Sequence, residues 1–302
     1  MPRLQVSRYI FTVGKNELPV YVGASALLHT AAPGADVVWL ATNQSREELE
    51  RIRDRVGHHG QEAFIDPYEQ IEAREIKKIA PDREPAHLHI TGGTKPMAVH
   101  AALQLGDVTL SYLDAVGHRL WSEGQACSGD LRSLYPMDLV QLAALHGVNV
   151  TTGNPDAPST QPSQDFEKNT YWQLRSALGD QPVYLNVRVC APGNAELDVV
   201  AVVGYQLLVV SCTKMRTEDD VETKAYEVWH RARQIGGGAA RAIVLCNLTK
   251  PQAEAVEQRV SEDLATKYPV LRVWGSDRQS AGLASEFRSY AREELGWKEA
   301  NP

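Results

Sequence analysis

Short apolar runs alternate with helix-patterned segments through the first half of the chain, and this alternation constrains the fold more than any other feature. Arg8 to Val13 (RYIFTV) reads as a strand and Leu18 to Leu28 as a helix. Asp36 to Ala41 (DVVWLA) is a second strand. Ser45 then reads as an N-cap, with Glu48 completing a capping box, for the helix EELERIRDRV. The strand EAFID precedes the helix YEQIEAREIKKI, and the strand AHLHI leads through TGGTKPM into the helix AVHAALQL. VTLSYLDAV and HRLWSEG read as a hairpin turning at Gly117. Parallel strands need a crossover between them, so strands separated by helices predict a parallel, doubly wound sheet over residues 1–150.

Thr151 to Gln164 (TTGNPDAPSTQPSQ) has small polar residues, three prolines and no apolar periodicity, and is predicted to be a linker. A second α/β domain is expected over 165–302. It opens with a helix from Phe166 to Leu178, followed by the strands YLNVRVC and ELDVVAVV. A Gly204-Tyr205 turn leads to the strand QLLVVSC, then a long helix of about Asp220 to Ile235 and the glycines Gly236 to Gly238. The strand RAIVLCNL, a helix, the strand VLRVWG and a last helix close the chain. At 302 residues there is length for two domains, each able to bury its own core.

Composition excludes several classes. No apolar run approaches the ~20 residues of a membrane span. Arg8 breaks the apolar stretch at the start, so no signal peptide is read there and a cytoplasmic location is expected. The net charge of −7 is shared between two halves of which neither is basic, which argues against a protein that coats nucleic acid electrostatically. Cys127, Cys190, Cys212 and Cys246 are widely spaced, and the last three lie in apolar runs, so they are expected as reduced core residues.

Thr91-Gly92-Gly93-Thr94-Lys95 falls where a strand ends and a helix begins. Glycines there let a ligand approach the backbone, the helix N-terminus offers free N–H groups to an anion, and Lys95 adds a point charge. By mechanics alone the segment serves equally as a phosphate cradle or a tight strand–helix turn. Val13-Gly14-Lys15-Asn16 and Thr42-Asn43-Gln44-Ser45 follow the first and second strands and would open on the same sheet edge.

The set VGKNELP, TNQS, TGGTKPM and SYLDAVGHRL resembles the CARF domain (CRISPR-associated Rossmann fold), in the subgroup fused to a restriction-endonuclease-like domain. The resemblance implies a homodimer whose paired CARF domains bind a cyclic oligoadenylate, most often the tetra-adenylate. It implies that Gly14, Asn16, Ser45, Gly92, Gly93, Thr94 and Lys95 line the ligand pocket.

Metal-dependent phosphodiester cleavage needs carboxylates that hold Mg²⁺ or Mn²⁺ and a group that orients water. Glu196 and Asp198 are two apart on a predicted strand and so share a face, as either a metal site or a solvated acidic edge. The order of the second half is similar to PD-(D/E)xK nucleases: a helix Glu, E-h-D-h-h on one strand, E-C-K on the next, then a helix Lys. Here stand Glu167, Glu196-Leu197-Asp198-Val199-Val200, Ser211-Cys212-Thr213-Lys214 and Lys224. Ser211 occupies the place of the second carboxylate, Thr213 that of the lysine, and Lys214 comes one residue late, which turns it to the other face of a strand.

Two readings stay open. In one, Glu196 and Asp198 hold the metal with the Cys212 carbonyl and Glu167, Ser211 and Thr213 line the same face, and Lys214 or Lys224 orients the water. In the other, the domain is a pseudo-nuclease. The activity expected is a cyclic-oligoadenylate-activated endonuclease acting on DNA or RNA. The alternatives are a ring nuclease with its chemistry near Lys95 and Ser45, or a non-catalytic sensor. His87 and His89 alternate on a strand without a Cys or carboxylate partner and are read as structural.

Overall fold

The computed structural model describes residues 6–65, 86–114, 117–132, 134–159, 161–190, 195–264, 270–280 and 282–297. The chain forms two compact units, residues 1–135 with 145–147, and residues 136–144 with 148–302.

In the first unit, β1 (Arg8–Thr12), β2 (Asp36–Ala41), β3 (Gln61–Phe64), β4 (Ala86–His89) and β5 (Thr109–Asp114) run parallel in the order β3-β2-β1-β4-β5. The antiparallel strands β6 (Arg119–Ser122) and β7 (Gln125–Ala126) extend the sheet beyond β5. The expected doubly wound sheet is therefore present, and the order of strands reverses between β1 and β4. The helix YEQIEAREIKKI lies outside the described residues.

The strands are apolar on both faces because both are covered. On one face Ile10, Val38, Leu40 and Leu88 pack with Met97 and Ala101 of α3 (Lys95–Leu105). On the other, Phe11 stacks on Trp39 at 4.9 Å and meets His89 edge-on, and α1 (Glu17–Thr30) lies so close that a Cβ on Gly23 would be 2.2 Å from His89 Nε2. Burial of an aromatic side chain of this kind contributes about 1.5–3 kcal/mol.

One N-terminal signal differs from expectation. In the turn before α2 (Arg46–Val56), the capping box joins Thr42 and Ser45. Ser45 makes no cap bond to α2, and Glu48 is buried and takes an ion pair from Lys15 at 2.8 Å. The hydroxyl prefers nearby backbone groups over the helix N–H groups it could cap, as short polar side chains often do.

The second unit carries a six-stranded sheet in the order β13-β12-β11-β10-β9-β8. Its strands are β8 (Val150–Thr151), β9 (Val183–Val189), β10 (Glu196–Val203), β11 (Gln206–Cys212), β12 (Arg241–Leu245) and β13 (Leu271–Trp274). β8 to β11 are antiparallel neighbours, while β11, β12 and β13 are parallel. The helices are α4 (Leu139–Leu145), α5 (Pro162–Leu178), α6 (Glu218–Gly236), α7 (Lys250–Asp263), α8 (Ser276–Ser280) and α9 (Leu283–Glu294).

One face of the sheet, through Val199, Ala201, Leu208, Val210 and Ile243, packs on Tyr171 and Leu174 of α5 and Phe287 of α9. α6 packs against β11 and β12, and α7 against β13. The segment 151–164 does not bridge the two units. Thr151 pairs with Arg188, the Gly153 N–H donates to the carbonyls of Leu185 and Asn186, and Pro162 begins α5. A proline at a helix start satisfies the same composition as a linker, which is why the sequence misleads here. Among the cysteines, Cys246 is buried, but Cys190 is exposed just past the end of β9, contrary to the expected core role.

Candidate functional site

Because β1, β2 and β4 are parallel, the three loops singled out above all leave the same sheet edge, and the loops after β1 and β4 flank the reversal of strand order. They meet backbone to backbone. A Cβ on Gly14 would be 2.6 Å from the Gly93 nitrogen, and one on Gly92 would be 2.2 Å from the Thr12 carbonyl oxygen. Gly93 takes φ +73°, a conformation open chiefly to glycine. The Thr12 hydroxyl lies 2.7 Å from the Gly92 carbonyl and 3.1 Å from that of His89, tying β1 to the loop. Thr91 Oγ1 accepts the Leu113 N–H at 2.6 Å. Thr94 caps α3 by accepting the Met97 N–H at 3.3 Å.

Thr94, Lys95 and Asn16 are exposed, and Asn16 makes no cap bond to α1. Ser45 is different. It is buried, with Oγ bonded to the carbonyls of Val13 (3.2 Å) and Thr42 (3.3 Å), and it holds loops rather than offering a free hydroxyl.

Beneath these loops Glu17 is buried between Arg51 (2.7 Å) and His146 (3.0 Å). Burial alone would raise its pKa, but the hydrogen bonds from His146 and Arg51 outweigh it and hold the carboxyl below its usual range. His87 and His89 both point a ring nitrogen at Ser111 Oγ, at 2.6 and 2.9 Å. Burial holds their pKa values down to about 4 and about 3, and the charge of His87 adds to the effect on His89. They are neutral interior groups, in line with the structural reading.

In the second unit the site forms where β10 and β11 stop pairing, beyond the Val199–Val210 pair. There Asp198 Oδ2 replaces the strand ladder: it accepts the Cys212 N–H at 2.6 Å and the Ser211 hydroxyl at 3.0 Å. Ser211 and Thr213 are buried, and Thr213 Oγ1 accepts the Met215 N–H. Cys212 contributes its N–H to Asp198, and its thiol lies 3.3 Å from Thr170 Oγ1, with its pKa raised by burial.

Glu196 is exposed and pairs with Arg188 across the ladder at 3.5 Å. Glu167, on α5, has its pKa pushed up to about 7 by burial and by the negative charges of Asp198 and Glu196. Asp198 is also raised, by burial first, against the pull of the Cys212 and Ser211 hydrogen bonds and the charge of Lys224. Lys224 itself pairs with Glu227 at 3.0 Å, and Lys214 is exposed beyond the end of β11.

The arrangement therefore brings Glu167, Glu196, Asp198, Ser211 and Lys224 into one electrostatic neighbourhood and leaves Lys214 outside it. Among the described residues no three His, Cys, Asp or Glu side chains stand close enough to hold a metal ion by themselves. The charge balance still fits a divalent cation, since the charges of Asp198 and Glu196 help to raise the pKa of Glu167, and a cation would relieve that repulsion. Thr12, Ser111, Thr170 and Arg188 were not singled out in the sequence. Their roles depend on cross-strand register, which leaves no local pattern.

The two folds are a doubly wound α/β sheet and a mixed α/β unit whose elements run helix–β–β–β–helix–β from α5 to β12. They coincide, over nearly the whole chain, with proteins of known structure. Can2 from Sulfobacillus thermosulfidooxidans in complex with cyclic tetra-adenylate superposes with a TM-score of 0.67 at 18% identity, covering 93% of this chain and 99% of that one. Protein VC1899 from Vibrio cholerae gives 0.66 at 12% identity, over 94% and 96%. A type III CRISPR defence DNA nuclease activated by cyclic oligoadenylate gives 0.58 at 20% identity, with 82% of this chain matching 46% of that longer one. No protein-family profile matches the chain, and no curated protein matches it in sequence. Among the described residues no helix is long and apolar enough to cross a membrane.

Proposed function

We propose that this chain is a nuclease of type III CRISPR defence, switched on by a cyclic oligoadenylate bound at the loops of the first unit. The observation that carries the reading is the end-to-end fold likeness to Can2, which was solved with cyclic tetra-adenylate. The loop edge suits such a ligand: a close-approach surface at Gly14, Gly92 and Gly93, the N-terminus of α3, and the exposed Lys95. A homodimer would place two such edges around one ring.

Cleavage is assigned to the second unit. Glu196 and Asp198, with Glu167 and the Cys212 carbonyl, would hold Mn²⁺ or Mg²⁺. The ion would supply Lewis-acid activation of the phosphodiester and of water. Asp198 is oriented by the Cys212 N–H and the Ser211 hydroxyl, so its free oxygen has a defined direction. Lys224, close enough to act on Asp198, is the cation placed to orient water, a role Lys214 does not share from its exposed position.

A non-catalytic sensor is the second reading, favoured by Ser211 standing where a carboxylate is expected. A ring nuclease using Ser45 has less behind it, because that hydroxyl is buried and committed to backbone carbonyls. The test is incubation with labelled single-stranded and supercoiled DNA and with RNA, with and without cyclic tetra-adenylate and Mn²⁺. Cleavage that needs both activator and metal is expected. Activator binding without cleavage would leave the sensor, and loss of the activator alone would identify a ring nuclease.

A further inference from the structure

A row of buried charges in the first unit begins beside the loop surface and runs inward. Lys15, between Gly14 and Asn16, donates to Glu48 of α2 at 2.8 Å, and its own side chain is 66% exposed. Arg51, one turn further along α2, lies 3.7 Å from the same Glu48 oxygen and bonds Glu17, the first residue of α1, at 2.7 Å. Glu17 then meets His146 at 3.0 Å. The side chains of Glu48, Glu17 and His146 are 9%, 5% and 7% exposed, so water does little for a charge left alone there.

The inner end of the row holds a particular piece of chain. Arg51 also donates from Nε to the Leu145 carbonyl at 3.1 Å. Gly147 takes φ +69° and turns bare backbone toward the guanidinium, where a Cβ would be 3.3 Å from Arg51 Nη1. Residues 145–147 belong to the first unit, whereas 136–144 before them and 148–302 after them belong to the second. A few residues on, Val150 and Thr151 pair with Val189 and Arg188 of β9, and Arg188 is the ion-pair partner of Glu196. Arg51 therefore grips the chain just before it enters the sheet that carries Glu196 and Asp198.

We propose that this row is the device through which the bound activator acts on the chain, with Arg51 exchanging partners. An anionic ring draws Lys15 off Glu48, Arg51 turns to Glu48, and its hold on Glu17 and Leu145 is released. This rests on the reading that the loops bind a cyclic oligoadenylate. Lys15 can leave, because its ammonium sits on a flexible stem in solvent and phosphate oxygens compete for it. Glu48 cannot be left alone. Its Oε2 is already buried without a hydrogen-bond partner, and once Lys15 goes, Arg51 is the cation beside Oε1. Glu47, a third carboxylate near Arg51 at 3.8 Å, is 85% exposed and compensated by water, so it does not decide the exchange. Arg51 thus has the two discrete arrangements that a coupling element needs.

Two substitutions move the exchange in opposite directions, which a purely structural role would not. In the wild-type full chain, saturating cyclic tetra-adenylate should speed amide hydrogen exchange over residues 145–151 by about fivefold or more, the lower end of ordinary coupling between sites. Glu48→Gln removes the charge that holds Lys15 and attracts Arg51. Binding then has no ion pair to break, so calorimetric titration should show affinity about fivefold or more tighter, while the same amides stay slow with activator bound. Lys15→Met leaves Glu48 to Arg51, so those amides should exchange at the activated rate with no activator present. Melting curves check folding, and should Lys15→Met not fold, Glu48→Gln decides alone. If the activator binds wild type but leaves exchange over 145–151 unchanged, or Glu48→Gln binds no tighter, or a folded Lys15→Met exchanges like wild type, the inference falls and the sensing reading stands. A wild-type chain that binds no cyclic oligoadenylate would overturn both.

Discussion

Replacing Asp198 by Asn keeps the outline of the side chain but removes the charge at which the Cys212 N–H and the Ser211 hydroxyl point. Asp198→Asn should abolish cleavage while melting temperature and activator binding stay within error of wild type. Cutting at the wild-type rate in Mn²⁺ would place the chemistry elsewhere. Glu167 gives a prediction that depends on pH. Its folded pKa of about 7 lies above the ordinary carboxyl value of about 4.5, because of burial and of the Asp198 and Glu196 charges. Between those values the unfolded chain ionises first, so its contribution to stability is present below about pH 4.5 and is lost as pH rises through about 7. Glu167→Gln should therefore raise the melting temperature at pH 8 and leave it nearly unchanged at pH 4.5. Added Mn²⁺ should shrink the gain at pH 8, because a bound cation removes the repulsion that the substitution relieves. An equal gain at both pH values would show that the glutamate is not held near its neighbours' charge.

At the scale of elements, the contact between the β1 and β4 loops rests on atoms that glycine alone leaves free. Gly14→Ala would set a Cβ 2.6 Å from the Gly93 nitrogen, backbone that cannot move aside cheaply. We expect destabilisation of about 1–3 kcal/mol, as for overpacking elsewhere, together with loss of cyclic tetra-adenylate binding. Chemical denaturation and calorimetry on one preparation would measure both. Gly23→Ala tests the helix side of the same sheet, since its Cβ would lie 2.2 Å from His89 Nε2. It should destabilise by a similar amount without touching the exposed loop edge, so that residual folded protein still binds the activator. A Gly14→Ala chain that binds normally would show that the ligand uses another surface.

Across the whole molecule, a ligand that binds only the folded state raises its stability by about 2.7 kcal/mol at a hundred times its Kd. Cyclic tetra-adenylate should raise the melting temperature of the chain, and Lys95→Ala should abolish most of that rise at the same concentration. A lost charge-assisted contact costs about 1.5–3 kcal/mol, and a two-fold dimer counts it twice, so affinity should fall by at least about a hundredfold. Saturating activator should still switch the variant on, because the residues of the second unit are intact. Unchanged affinity for every ring tried would remove Lys95 from the site.

Elements with a strong period were legible from the chain alone. Alternating strands and helices in residues 8–56 and 86–122, and the order from Phe166 to Leu295, depend on local spacing that a sequence carries directly. The acidic pair of β10 and the glycine turn after β4 were legible for the same reason. What only the tertiary structure decided were facts of register and burial. The Ser45 hydroxyl turned out to bond the backbone carbonyls of Val13 and Thr42, Thr151 paired with Arg188 of β9 while Pro162 began α5, and Asn186 came to stand in a left-handed kink opposite Asp198. Each depends on which distant backbone atom lies within about 3 Å, and a hydrogen bond over such a separation leaves no trace in neighbouring residues.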